Sequence, residues 1–563
     1  MQADWLAAYE GATLEIDLPI PESVLRFLHA RGYKSKTSIE DLLRASLQDM
    51  RSPFVLKDIS KFVDRMTLAY SRQEEILIYG DFDLDGTSAT AIMVQGLKAL
   101  GFQNIRYFQP RRLRDGYGLH AWAMEQFQQE GVDLVITVDV GISDLKAARK
   151  AKELGIDLIV TDHHQPKEDL PEAIAVINPN RKDCSSELSH LCGAGVAFYI
   201  LLALKMHWDK QNIPHTFQAK DVLDFFIIGT LTDMVPLKDE NKALCKHGIL
   251  QMQKTAKPGL KVLLETLGYA GRSLSGADVA IGIAPKLNAL SRMEDGLLPI
   301  DILLETSELE AQKKMQRVLE INDQRKIQQA EAEQEADCEF LSRGKQPVAF
   351  VYSKNFHKGV IGLVATKLCQ KYNVPAFVGT LNEDGRIVGS ARSPNEEDFS
   401  TLKAYEKTKD HLLGFGGHHY ASGFQLDIKN AEAWAVALQD HYKSIASKKK
   451  TFYYDVKVDL ESLNTKTMQW LDRFQPFGKG FEPPTFFLTD CKILDMRGLR
   501  GGHLRFQIEQ NGIKQTALYF SPPNHRDFIE GDRVDLLVDL QWNYFNARKS
   551  LQLLIKDIRR HEG

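Results

Sequence analysis

Cysteine is scarce in this sequence of 563 residues: Cys184, Cys192, Cys245, Cys338, Cys369 and Cys491 are scattered, with no CxxC pair. That excludes a disulfide framework and a cysteine-built zinc site, and reads as reduced thiols in a cytoplasmic protein. Long apolar runs are also missing. Stretches such as Ile76–Tyr79 and Leu134–Val138 fall far short of the roughly 18–20 residues of a membrane span, so no membrane association is expected. The first residues, Met1 to Trp5, show no basic stretch leading into an apolar core, so no secretory leader is expected. An excess of one charge is absent as well: 71 Lys and Arg face 75 Asp and Glu, a net charge of −4. Bulk charge therefore does not advertise a nucleic-acid partner, and any such partner needs a local basic patch. No internal repeat is visible, and no oligomer signature, so a monomer is expected. A hydrophobic content of 43% with 26% charged residues excludes a disordered chain.

At about 150 residues per domain, the length predicts roughly four domains. Residues 1–70 read as short helices, with Val24, Phe27 and Leu28 on one face and Ile59, Phe62, Val63 and Met66 on another. Residues 71–305 alternate short apolar runs with amphipathic stretches, the pattern of a parallel sheet with helical crossovers, turning mainly helical beyond 236. Residues 306–340 are polar, with Met315, Val318, Leu319 and Ile321 at helical spacing, and predict a long connecting helix. A second α/β domain follows over 341–447. Lys448 to Lys450 mark a linker, and 451–563 are β-rich, with Asn511-Gly512 as a hairpin turn. An OB-like barrel fits those short strands. The predicted fold class is thus α/β: two α/β domains joined by a long helix, plus a C-terminal barrel.

The informative feature is where carboxylates fall. Ile76–Tyr79 runs into Gly80-Asp81-Phe82-Asp83-Leu84-Asp85-Gly86-Thr87. Leu134–Val138 runs into Asp139, Leu158–Val160 into Thr161-Asp162-His163-His164, and Phe225–Leu231 into Thr232-Asp233. A single strand-end Asp is ordinarily a helix cap or turn residue. Four in one region point instead to the crevice at the carboxyl ends of a parallel sheet. Two carboxylates 4 Å apart repel by about 1 kcal/mol in water and about 4 kcal/mol at intermediate dielectric. No Lys or Arg cluster sits in these motifs, so divalent cations are the natural compensation. Oxygen ligands with an imidazole suit Mn²⁺ or Mg²⁺, and two such ions form the clamp used on phosphodiesters.

A calcium loop starting at Asp81 is excluded, because its twelfth position is Ile92. Asp83-Leu84-Asp85-Gly86-Thr87 also resembles the DxDGT signature of haloacid-dehalogenase phosphatases, with Asp83 as nucleophile, a reading that leaves Asp139 and Asp162 to His164 without roles.

Taken together, Asp81-x-Asp83-x-Asp85-Gly86, Asp139, Asp162-His163-His164 and Asp233 resemble the DHH phosphoesterase superfamily. Gly416-Gly417-His418-His419-Tyr420-Ala421-Ser422-Gly423 resembles the signature of its companion DHHA1 domain, where Gly389 to Ser393 also fits. Pro285-Lys286-Leu287-Asn288-Ala289 with Ser291-Arg292-Met293, and Pro476-Phe477-Gly478, resemble segments of RecJ-type exonucleases. The resemblance implies a 5′→3′ exonuclease specific for single-stranded DNA, releasing 5′-mononucleotides in DNA repair and recombination, with two Mn²⁺ or Mg²⁺ ions. It implies Asp81, Asp83, Asp139, His163 and Asp233 as metal ligands, Asp139 bridging, and Asp85 in support. Asp162 and His164 would orient the site or contact the scissile phosphate. A single-strand-binding protein or helicase is implied as partner. Lys286 stands where Arg is common, which weakens bidentate phosphate contact there.

DNA contacts are expected from Arg111, Arg112 and Tyr117, where bases and aromatics interleave. Further contacts are expected from Lys286, Arg292, Arg392, Gly416, Gly417 and His418, with Arg505, Phe506, Trp542, Tyr544 and Phe545 of the barrel as stacking candidates. Two other readings compete: a scaffold that kept the fold but lost catalysis, and a small-substrate DHH enzyme.

Overall fold

The computed structural model describes residues 4–8, 16–293, 296–344, 346–394, 399–417, 421–445, 451–520, 522, 528–545 and 548–562. They form two compact units. One comprises residues 45–325 together with 475–482; the other comprises 1–44, 326–474 and 483–563. The predicted linker at 448–450 lies outside the described residues.

The first unit is built on a five-stranded parallel sheet. Its order is Ile105–Phe108, Ile76–Gly80, Leu134–Val138, Asp157–Thr161 and Ala175–Ile177. The two central strands Ile76–Gly80 and Leu134–Val138 are buried at every residue, as strands covered on both faces by helices must be. Ile76–Gly80 is flanked on one side by the next strand in sequence and on the other by Leu134–Val138. The winding direction thus reverses between the strands that end at Asp81 and Asp139, and a ligand crevice opens at such a switch point. The helix Leu84–Ala99 is buried almost all round. It lies so close to the helix Gly193–Gln211 that a Cβ on Gly96 would sit 2.3 Å from Leu201.

One segment differs from expectation. Phe225–Leu231, read beside three strands, lies in the helix Leu223–Thr232. Its residues are buried almost throughout, and a continuous apolar run has no period that separates a buried strand from a buried helix. Asp233 therefore arrives at a helix C-terminus, not at a strand end.

In the second unit, a mixed five-stranded sheet carries apolar cores on both faces. One holds Ala332, Ala336 and Phe340 of the helix Glu308–Ser342 with the helix Ile361–Tyr372, and the other is centred on Trp434. The 35-residue helix Glu308–Ser342 is the expected connection, its residues divided between the units at Arg325 and Lys326. The C-terminal strands close on themselves: Phe486–Leu499, His503–Gln510, Ile513–Tyr519, Arg548–Arg560 and Arg533–Phe545 pair in that order, and the last pairs back with the first. Asn511 and Gly512, at φ 52° and 81°, make the hairpin turn. The N-terminus is not wholly helical: Asp4–Ala7 is a strand paired in parallel with Thr451–Tyr454, and Trp5 Nε1 donates to Asp557 at 2.9 Å. A four-residue strand has no internal pattern, and it forms only because its partner lies elsewhere in the chain. Among the described residues, no helix is long and apolar enough to cross a membrane.

Candidate metal centre

Strand register places three of the carboxylates. Gly80 pairs with Val138, and Val138 with Thr161. The ladder then runs one residue further: Asp81 N–H donates to Val138 O (3.4 Å), Asp139 N–H to Thr161 O (3.1 Å), and Asp162 N–H to Ile177 O (3.1 Å). Adjacent strands thus deliver Asp81, Asp139 and Asp162 in one row. Asp139 turns there through φ 63°, a left-handed conformation that Asp tolerates better than most residues.

The next residues close the centre. Asp83 caps the helix Leu84–Ala99, its Oδ1 accepting from Asp85 N–H (2.8 Å) and Gly86 N–H (3.0 Å). Gly86 has no substitute, since a Cβ would lie 2.6 Å from the Asp81 carbonyl oxygen. Asp85 is buried and accepts from Gly193 N–H (2.6 Å) and Ala194 N–H (2.9 Å), at the N-terminus of the helix Gly193–Gln211. His163 Nε2 lies 3.1 Å from Asp139 Oδ1 and 3.7 Å from oxygens of both Asp85 and Asp233. Ligand atoms of Asp81, Asp83 and Asp139 lie within 4.8 Å of one another, as do those of Asp139, His163 and His164, and those of Asp85, His163 and Asp233. Asp139 is common to the first two groups.

Asp162 is occupied differently. Its Oδ1 accepts from His163 N–H (2.7 Å), His164 N–H (3.0 Å) and His164 Nδ1 (2.7 Å), and its Oδ2 from Ile142 N–H (3.0 Å). Burial opposes its charge, yet the bond and charge of His164 hold its carboxyl below the ordinary range. Burial likewise opposes charge on His164, but Asp162 raises it to about 9. Asp162 thus fixes the His164 ring through its Nδ1.

Elsewhere the carboxyls are pushed the other way. Burial first, then the charge of Asp83, raises Asp81 well above the ordinary range and Asp85 to about 6. Burial and the neighbouring aspartates raise Asp139 strongly, and Asp233 to about 8. Asp81 Oδ1 and Asp139 Oδ1 are buried and accept no hydrogen bond. Buried acceptors without donors cost about 1–3 kcal/mol each, more when charged. A divalent cation relieves both penalties, and an oxygen-rich set with one imidazole fits Mn²⁺ or Mg²⁺.

This predicts a pH-dependent response to metal. Between 3.8 and about 8 the folded, metal-free protein keeps a proton on Asp233 that the unfolded chain has lost, so stability falls as pH rises through that window. His164, raised from 6.5 to about 9, adds the same sign over its own window. Cations compete with the protons on the carboxyls, so the rise in Tm on adding Mn²⁺ should grow from pH 6 to pH 8. A rise independent of pH would contradict protonated carboxyls in the metal-free site.

The predicted DNA contacts divide. Tyr117 is at the centre, its ring 5.8 Å from that of His164 and its hydroxyl 3.4 Å from His164 Nδ1. Arg112 covers the Phe82 ring at 5.2 Å. Arg111 donates to Gly296 O at 2.9 Å. Lys286 donates to Gly282 O within its own helical segment. Arg292 lies on the same helix as Ser291, whose hydroxyl donates to Phe82 O at 3.0 Å, next to the Asp81 motif. Arg392, Gly416 and Gly417 belong to the other unit, gathered at one end of its sheet: Arg392 pairs with Ala421, and Gly417 with Ser422. His418 lies outside the described residues. Phe506 is a core residue of the barrel and offers no stacking surface, while Trp542 donates from Nε1 to Asp472 at 2.7 Å and carries Lys549 Nζ 3.9 Å from its ring centroid.

Sequence reasoning missed Gly193 and Ala194, though Cys192-Gly-Ala-Gly195 ahead of an apolar run was a visible signal for a closely approached helix N-terminus. It also missed Gln109, whose amide donates to Asp81 O (2.5 Å) and Thr87 Oγ1 (3.1 Å).

Comparison with known proteins agrees along the chain. Family models match in order: the DHH family N-terminal domain over residues 75–230, the DHHA1 domain over 345–444 and the RecJ OB domain over 454–557. The chain is 32% identical to the single-stranded-DNA-specific exonuclease RecJ of Salmonella typhimurium, over 98% of each chain. It is 30% identical to the Escherichia coli protein of that name, over 97% of each. Among solved structures, RecJ from Thermus thermophilus in complex with Mn²⁺ matches at a TM-score of 0.80 and 24% identity, covering 100% of this chain and 80% of that one. An exonuclease RecJ bound to manganese matches at 0.58 and 30% identity, covering 69% of this chain and 95% of that one.

Proposed function

The chain belongs to the RecJ family, and from that premise we propose that it degrades single-stranded DNA from the 5′ end, releasing 5′-mononucleotides. It is a metal-dependent nuclease. The observation that carries the reading is the convergence of Asp81, Asp83, Asp139, His163 and Asp233, with Asp139 common to two ligand groups. These five residues are the proposed ligands of two divalent cations, and Asp139 the bridging one. Bound there, the cations would supply an acidified water and neutralise charge on the phosphate.

The chain's own groups do the rest. Asp83 holds its place as a helix cap, so ligand and backbone are aligned together. Asp85, tied to the helix at Gly193, supports the row from behind. His164, charged through Asp162, offers a donor to a phosphate oxygen. The half-exposed ring of Tyr117 beside it presents a face for the terminal base. Arg112, over the Phe82 ring, and Arg292, on the helix whose Ser291 binds Phe82 O, stand nearest the Asp81 motif, and with Arg111 and Lys286 they are the proposed contacts for backbone phosphates. In the other unit, Arg392 and the open backbone of Gly416 and Gly417 suit substrate phosphates, and the barrel suits the trailing strand. Repair and recombination, with a single-strand-binding protein or helicase as partner, are the proposed setting.

A nuclease assay in Mn²⁺ tests this directly. Strands labelled at the 5′ or 3′ end would be compared with blunt duplex. The expected result is early release of the 5′ label as mononucleotide, with duplex spared. Early loss of the 3′ label would refute the polarity, and cleavage restricted to di- to pentanucleotides would point to a small-substrate enzyme.

A further inference from the structure

Beyond residue 325, the segment Gln475–Glu482 belongs to the catalytic unit. It connects the helix Thr465–Arg473 to the barrel strands, yet it is bound into the unit that carries the metal centre. Its anchors are backbone hydrogen bonds, apolar contacts and one buried lysine. Leu237 N–H donates to the Lys479 carbonyl at 2.8 Å. The buried Lys242 Nζ donates to Pro476 O at 2.6 Å and lies 3.8 Å from the Phe481 ring centroid. Phe477 and Phe481 stack at 5.4 Å. A Cβ on Gly478 would lie 2.7 Å from Leu237 and 3.5 Å from Leu231. Leu231 and Leu237 bracket Asp233 in sequence, so the segment is clamped against the turn that carries the proposed last metal ligand.

Within this clamp the side chain of Lys479 is exposed. Among the described residues it forms no ion pair. The Lys479 carbonyl is held by Leu237 N–H, so the residue stands beside the turn that carries Asp233. Arg112, over the Phe82 ring, stands next to Asp81. Besides the charged His164, which acts on both Asp81 and Asp233, the centre thus has Arg112 on the Asp81 side and Lys479 on the Asp233 side. Six aspartates crowd between them, Asp81, Asp83, Asp85, Asp139, Asp162 and Asp233, and a phosphodiester would bring one more negative charge. A lysine ammonium on a flexible stem, tied to no carboxylate, is suited to meet it as a point charge.

We propose that Lys479 contacts a phosphate of the bound strand on the Asp233 side of the metal centre, so that Gln475–Glu482 completes the substrate site. This rests on the nuclease reading above. It also means that truncation at residue 451 removes a piece of the active site together with the barrel.

The test uses the full chain. Lys479→Ala should raise KM for a single strand about 5–10-fold with kcat within about twofold, and Lys479→Arg should restore KM, since only a point charge is needed. Because the side chain is exposed, Tm should stay unchanged. In an Asp139→Asn background, where binding is read without turnover, Lys479→Ala should reduce the slope of log affinity against log salt by about 0.7, the value for one phosphate on single strands. An unchanged KM and slope would overturn the proposal. So would a changed Mn²⁺ half-saturation with an unchanged slope, which would assign the lysine to Asp233. A parent protein that binds strands but never cleaves them would refute the nuclease reading, and the salt slope would still decide Lys479.

Discussion

Asp139→Ala should lower kcat on single-stranded DNA by at least about 10³-fold, near 4 kcal/mol of barrier, with strand binding within about threefold of the parent. The expectation follows from position. Asp139 is buried, one of its oxygens accepts no hydrogen bond, and its ligand atom groups with Asp81 and Asp83 as well as with His163 and His164. No neighbour can replace it, because the strand ladder places only one residue between Asp81 and Asp162. The backbone at φ 63° makes alanine mildly strained, so Asp139→Asn is the companion variant, asparagine tolerating that conformation. Both variants remove a buried carboxyl that repels its neighbours. Without metal, Asp139→Asn should therefore be at least as stable as the parent, while its gain in Tm on adding Mn²⁺ shrinks. Near-normal turnover in either variant would sink the shared-ligand assignment. Loss of activity with a lowered metal-free Tm in both would make Asp139 a folding residue instead.

The second large effect is expected from a residue with no chemistry of its own. Gly193→Ala would place a methyl carbon 2.4 Å from Asp139 Cβ and 2.7 Å from its Oδ1. The helix cannot retreat cheaply, because Gly193 and Ala194 N–H groups are bound to Asp85 at 2.6 and 2.9 Å. Either Asp139 or Asp85 must move, and a displacement of about 1 Å at a reacting centre can cost on the order of 10²-fold. The expected result is a drop of about that size in kcat, a weaker Mn²⁺ response, and a stability loss of about 1–3 kcal/mol from overpacking. Gly195→Ala is the control: the atoms nearest its Cβ would be those of Leu191, at 3.0 Å and beyond, so activity should fall far less. Equal losses in the two variants would show that helix packing, and not Asp139, is being read.

Much of the centre was legible in the sequence. Asp81, Asp139 and Asp162 each follow a short apolar run, and a run buried on both faces is legible because its whole length is apolar. Asp83 illustrates a limit: it is a helix cap, the ordinary reading, and its carboxylate still groups with Asp81 and Asp139, so capping does not compete with the proposed role. Phe225–Leu231 shows another, its uniform apolarity hiding a helix. Among the proposed DNA contacts, Tyr117 meets His164, whereas Phe506 fills the barrel core, and both looked alike as aromatics within a few residues of an arginine.

By itself the sequence determined the α/β class, the long helix, the closed barrel and the identity of the clustered acids, because periodicity, turn chemistry and strand-end carboxylates are written within a few residues of one another. Tertiary structure alone decided that Asp233 comes from a helix, that Gly193 leaves room for Asp139, that Asp4–Ala7 joins Thr451–Tyr454, and that Gln475–Glu482 packs against the turn that carries Asp233. The last three join segments tens to hundreds of residues apart. Such contacts arise from close packing of whole elements, and no local pattern in either segment carries the address of its partner.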